Sequence, residues 1–229
     1  LHTAGLRLYR FESEKALCYP SGRIPGLTKY ELYRTSSGAG YTNLFRHLAA
    51  SSLHTLRLSG VCYVAGDPPS FEHLHELVVY RLACDEFPNG GLAQFFAEAK
   101  LNSFVFVQAA PQPHATASNS GATISAFDGH KAMIMSDEML EEIVRGPARN
   151  AREMTLLGLR QDTVTLKGLA SCLKKLPNLE YLALGYSGEP SASVCDARDR
   201  GVQELFDSLP RSLQTLKLSL PSSLYNSMP

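Results

Sequence analysis

The residues with most scope for chemistry in this 229-residue chain are its seven histidines and five cysteines. His73, His75 and Glu76 lie together, and His54 stands 21 residues ahead of His75. Imidazoles beside a carboxylate form a donor set for a borderline divalent metal. These residues also read as ordinary solvated side chains at the edge of a strand, and no metal is expected there. His2, His47, His114 and His130 are scattered. The cysteines (Cys18, Cys62, Cys84, Cys172, Cys195) contain no C-x-x-C pair, which argues against a zinc ribbon or a thioredoxin-like couple. Cys84 would act as a nucleophile with His54 or His75 only if folding brought thiol and imidazole together.

The catalytic motifs that short patterns can reveal are missing. Gly185-Tyr-Ser187-Gly188 lacks the final glycine spacing of a nucleophile elbow. His75-Glu76 is followed by Val79 where a zincin would place its second histidine, and neither a P-loop nor a G-x-G-x-x-G occurs. Asp196 and Asp199 fall in a polar stretch and read as solvated. The expectation is a non-enzyme with no catalytic, cofactor-binding or metal site.

Composition narrows the class further. Twenty-two basic residues balance 22 acidic ones. A protein that holds nucleic-acid phosphates or anionic lipid usually carries a basic excess, so neither partner is expected. A hydrophobic share of 44% is enough for a sizeable core, and residues 1–229 read as a single domain. No apolar run approaches the ~20 residues that cross a bilayer. An odd cysteine count and the lack of an N-x-S/T sequon favour a reducing compartment, cytoplasmic or nuclear. The chain opens on Leu1, already within a strand-like pattern, as expected of a piece of something longer.

What must position any site is a repeat. The pattern L-x-x-L-x-L recurs at Leu27/Tyr30/Leu32, Leu53/Leu56/Leu58, Leu74/Leu77/Val79, Leu101/Phe104/Phe106, Leu179/Leu182/Leu184 and Leu213/Leu216/Leu218. Leu6-Arg-Leu8 is a partial copy. A further copy lies in Ala151–Leu159, where the frames Ala151/Met154/Leu156 and Met154/Leu157/Leu159 both fit. Starts at 27, 53, 74 and 101 are separated by 26, 21 and 27 residues. Between the copies, helical periodicity appears over 41–50 (Leu44, Phe45, Leu48) and 91–100 (Leu92, Phe95, Phe96, Ala99). It returns around Asp137–Arg145, through Leu166, Leu169, Leu173 and Leu176, and through Val202, Leu205, Phe206 and Leu209. Each unit therefore reads as strand, turn and helix, and cannot bury its apolar side until a neighbour stacks on it. An ordinary open α/β sheet is the competing architecture.

The pattern resembles leucine-rich-repeat proteins over nearly the whole chain. The resemblance implies an α/β solenoid (horseshoe) with a parallel concave sheet and a helical convex side. Family strands usually place Asn or Cys at the ninth position, whereas this chain has Thr35, Val61, Leu82, Ala109 and Ser187. Irregular repeat lengths and helical outer segments look most like the intracellular repeats of F-box/leucine-rich-repeat proteins. That resemblance implies a substrate-recognition part of a ubiquitin ligase, tied to the ligase scaffold through an F-box ahead of Leu1, since none lies in these residues. Two stretches break the rhythm. Residues 109–130, which include AAPQPHATASNSGATISA, read as a flexible insertion, and residues 186–200 read as a loop.

Alternation along a strand sends the fourth and sixth positions of each copy into the core and the third, fifth and seventh to the open face. The fifth positions run Arg7, Glu31, Arg57, Val78, Val105, and the seventh run Tyr9, Tyr33, Ser59, Tyr80, Val107. Tyrosine offers contact area, a polar handle and few rotors. Tyr9, Tyr33, Arg57, Val78, Tyr80, Val105 and Val107 are therefore the expected contact residues for another protein on the concave face. A scaffold or regulatory subunit of a larger assembly, or a secreted repeat-protein effector, are the alternatives.

Overall fold

The repeated pattern becomes a ladder of parallel strands. A computed structural model describes residues 5–8, 29–33, 53–61, 70–83, 91–108, 133–187 and 195–219. Its strands are β1 (Gly5–Leu8), β2 (Lys29–Tyr33), β3 (Thr55–Val61), β4 (Glu76–Ala83), β5 (Ser103–Val107), β6 (Glu153–Leu159), β7 (Tyr181–Tyr186) and β8 (Thr215–Ser219). They form one eight-stranded sheet in chain order, each strand parallel to the next. Parallel neighbours need long crossovers. Helices α1 (Gly91–Phe95), α2 (Asp137–Arg145), α3 (Leu166–Leu173) and α4 (Cys195–Asp207) lie in those connections. The chain is thus α/β with a parallel sheet. Strand order never reverses among the described strands, so they form no crevice of the kind doubly wound sheets offer to ligands.

Register follows the leucines. Tyr30, Leu56, Leu77, Phe104, Met154, Leu182 and Leu216 stand side by side across the sheet, as do Leu32, Leu58, Val79, Phe106, Leu156, Leu184 and Leu218. This pairing selects the frame Ala151/Met154/Leu156 over its alternative. From β3 onward a slip by one residue would turn these side chains to the wrong face, so burial itself enforces the register. From β3 to β7 the first, fourth and sixth positions are all at most 1% exposed. They share one core with Leu92 and Phe95 of α1, Leu140, Ile143 and Val144 of α2, Leu169 and Leu173 of α3, and Val202 and Leu205 of α4. Phe71, Phe95 and Phe96 close one part of it, with ring centroids 4.9–5.9 Å apart.

The backbone adds a second device at the starts of β4 to β8. The carbonyl of His54 accepts from the N–H groups of both His75 and Glu76, each at 2.9 Å. The carbonyls of His75, Asn102, Arg152 and Glu180 do the same for the second and third positions of the next copy, at 2.7–3.0 Å. Each step of the ladder is thereby fixed by a shared acceptor that any side chain supplies.

The helices are capped and tied to one another. The Ser136 hydroxyl accepts from the Met139 N–H at 3.2 Å, with Asp137 and Glu138 in the first turn of α2 and Arg145 in its last, as the helix dipole favours. Thr165 caps α3 by accepting from the Gly168 N–H at 2.9 Å. Asp137 joins the two helices: its carboxylate accepts from the Thr165 N–H at 3.0 Å and from the Thr165 hydroxyl at 2.8 Å. A Cβ on Gly168 would collide with the Asp137 carboxylate, so this junction requires glycine. Glu141 bridges Arg145 and Lys175 at 2.6 and 2.5 Å; the hydrogen bond from Lys175, and then both positive charges, hold its carboxyl below the usual range.

Several expectations shift. Helix α4 begins at Cys195, inside the stretch 186–200 that reads as a loop, and β7 already includes Tyr186. Asp196 and Asp199 therefore lie on a helix. The sequence there is polar and lacks an apolar stripe, so periodicity gives no warning of the first helical turns. The helix expected over 91–100 is only Gly91–Phe95, followed by a turn. The segment 41–50 and the insertion 109–130 lie outside the described residues.

Candidate functional site

The sheet face turned away from the core is built from the third, fifth and seventh positions. On β5, buried Phe104 and Phe106 alternate with half-buried Ser103, Val105 and Val107, and β6 repeats the alternation with Glu153, Thr155 and Leu157 facing outward. Pairing brings Val78, Val105 and Thr155 into one row and Tyr80, Val107 and Leu157 into the next. Tyr80 is 42% exposed, and only Ile134 joins it as an exposed large hydrophobic residue among those described. The result is a patch of valines, a threonine and a leucine with one aromatic ring standing in it. Leu157 belongs to it and was not among the expected contact residues, because the ambiguous frame hid which side of β6 it takes.

The expected contact residues separate into three groups. Val78, Tyr80, Val105 and Val107 are brought together on β4 and β5. Arg57 sits beside them on β3, opposite Val78. It is ion-paired to Glu76 at 3.5 Å, and Glu76 also accepts from the Thr55 hydroxyl at 3.1 Å. Tyr33 closes β2 opposite Ser59. Tyr9 lies outside the described residues.

Toward β8 the face changes character. Ala183 and Gly185 replace the valines on β7. A Cβ on Gly185 would come within 2.9 Å of the Leu157 side chain, so the leucine occupies the space above that glycine. The Lys217 ammonium lies 5.4 Å from the centre of the Tyr181 ring, a cation–π arrangement that covers the tyrosine.

The histidines do not converge. His54 and His75 stack at 5.3 Å with their planes only 12° apart. The lone pairs of an imidazole lie in its ring plane, so near-parallel stacked rings aim theirs side by side rather than at one ion. Among the described residues no three His, Cys, Asp or Glu side chains come together as a metal-holding group. His75 is less solvated than its position suggests, since its Nδ1 is buried without a hydrogen-bond partner. Cys84, the thiol that would complete a nucleophilic pair, lies outside the described residues.

At the far ends of the strands side chains tie neighbouring turns together. The Ser187 hydroxyl lies within hydrogen-bonding reach of the carbonyls of Gly158 and Leu159, at 3.0 and 3.3 Å, and its N–H donates to Leu159 at 2.7 Å. Buried Gln108 accepts through Oε1 from the Met135 N–H at 3.2 Å. Gly158 sits at φ +75°, where β6 and β7 shift register, and a Cβ there would stand 2.8 Å from the Gln108 carbonyl oxygen. The hydroxyl of Ser187 was visible in the sequence, but its role as a tie was not, because it depends on how β6 and β7 pair. Two buried groups stay out of reach of solvent: burial pushes the Cys172 thiol up to about 11 and raises the Tyr186 phenol as well.

Among the described residues no helix is long and apolar enough to cross a membrane. Compared with protein-family models and with curated proteins, the chain matches none.

Proposed function

We propose that this chain is a leucine-rich-repeat solenoid that acts as a non-catalytic protein-interaction module. Its concave face, centred on Tyr80 with Val78, Val105 and Val107, receives another protein. In its most specific form, this reading makes the chain the substrate-recognition part of an F-box type ubiquitin ligase, with the scaffold engaged by a segment ahead of Leu1. The observation that carries the reading is the 42% exposure of Tyr80 within a row of half-buried apolar side chains. An exposed aromatic ring flanked by half-buried valines can release apolar area to a partner while its hydroxyl keeps a polar handle. The buried free thiol of Cys172 supports a reducing compartment, cytoplasmic or nuclear.

The test is affinity purification of the chain from its native lysate beside the double variant Tyr80→Asp with Val105→Asp, with mass spectrometry of the co-purifying proteins. Neither residue is in the fully buried core, so the variant should keep its fold while two carboxylates spoil the patch. A partner lost only from the variant is the expected result, and ligase subunits with the full-length protein would support the F-box form. The same partners in both samples would overturn the concave-face reading and move the contact to the helices.

A further inference from the structure

Resting on that reading, we infer that the partner segment seated on the Tyr80 patch is apolar and basic, and that Glu153 receives its positive charge. The argument starts from the border of the patch. At the third positions Glu76, Ser103 and Glu153 stand on three neighbouring strands. Strand spacing puts the two carboxylate-bearing residues roughly 10 Å apart. They differ in how they are satisfied. Glu76 has the Arg57 guanidinium and the Thr55 hydroxyl. Glu153 is exposed and makes no ion pair among the described residues.

The nearest described cations are engaged with other groups. Lys217 of β8 lies over the ring of Tyr181, the residue paired with Glu153 across β6 and β7, and makes no ion pair with Glu153, while Arg152 pairs with Glu180 at 3.6 Å. Among the described residues Glu153 therefore borders an apolar patch without an ion pair of its own. A partner that covers Val105 and Val107 would desolvate this carboxylate, and leaving it unpaired would oppose binding. A lysine or arginine next to the partner's apolar contacts removes that cost and fixes the register of the segment along the sheet. An acidic segment would meet a like charge at the same point.

The probe is a phage-displayed library of random dodecapeptides selected on the purified chain, with each variant first checked for an unchanged urea midpoint. Enriched peptides should combine apolar or aromatic residues with a Lys or Arg, and should lose binding to the Tyr80→Asp/Val105→Asp variant. Glu153→Lys should weaken them by about twofold to fivefold, the size of one exposed charge pair. Exchanging the peptide's basic residue for Glu should restore binding to the Glu153→Lys variant. Peptides that need the patch but ignore Glu153→Lys overturn the charge assignment and leave the patch standing. Peptides that bind the double variant equally well, or no enrichment at all, overturn the patch reading and this inference with it.

Discussion

The interior strands and the last strand carry the same pattern and bury it very differently. In β5, β6 and β7 the first, fourth and sixth positions are essentially out of water. In β8 the equivalent Leu213, Leu216 and Leu218 are only partly buried, although their spacing is identical. Among the described residues β8 has a strand on one side only. A copy of the pattern thus does not bury its own leucines. Its neighbours on both sides do, which is the nearest-neighbour logic of stacked units.

The sharpest way to break this contrast is to cut the same position in both places. Phe104→Ala in the interior should cost about 3–5 kcal/mol, because a fully enclosed ring leaves a cavity that rigid neighbours cannot fill. Leu216→Ala at the equivalent position of β8 should cost only about 1 kcal/mol, since water already reaches that side chain. Urea unfolding of both variants checks the pair, and equal losses would mean that the last strand is packed like the others.

The junctions between units come next. Gly168→Ala drives a methyl into the carboxylate of Asp137, and Gly158→Ala combines a strained φ with a clash against the Gln108 carbonyl. Each should cost about 1–3 kcal/mol. In the first case the loss should shrink in an Asp137→Ser background, where the carboxylate is gone. The Gly158 loss should be largely unchanged there, because the atoms its methyl would meet belong to Gln108 and not to Asp137.

The smallest effect concerns pH. Burial raises the Cys172 thiol from its ordinary value of 9.0 to about 11. The folded state therefore holds the proton more tightly than the unfolded chain does. Its contribution is complete below about pH 9 and is lost as pH rises through 11. Denaturant midpoints measured between pH 8 and 11 should fall less steeply for Cys172→Ala than for the wild type. At pH 8 the native thiol should resist alkylation until the chain is unfolded.

Much of the sheet was legible because leucine spacing and side-chain alternation are one-dimensional facts. From β2 onward every described strand falls on a copy of L-x-x-L-x-L, β1 falls on the partial copy Leu6-Arg-Leu8, and α2 falls on the expected Asp137–Arg145. The start of α4 was hidden because Cys195–Arg200 offers polar residues with no apolar face. Which way Leu157 points depended on pairing with β5, a long-range fact that a local frame leaves open. At the candidate site the row of Val78, Tyr80, Val105 and Val107 was readable from period two alone. The unpaired state of Glu153 was not, since it depends on where Arg152 and Lys217 direct their charges.

One feature of the strand starts reaches further than stability. The carbonyl that accepts two N–H groups recurs at five positions beneath His, His, Asn, Arg and Glu, four side-chain types with little chemistry in common. The advance from one turn of the chain to the next is therefore insensitive to what is written at that position. The rim of the sheet can drift freely over evolutionary time, acquiring charge or losing it, while the surface beside it keeps its spacing and its shape.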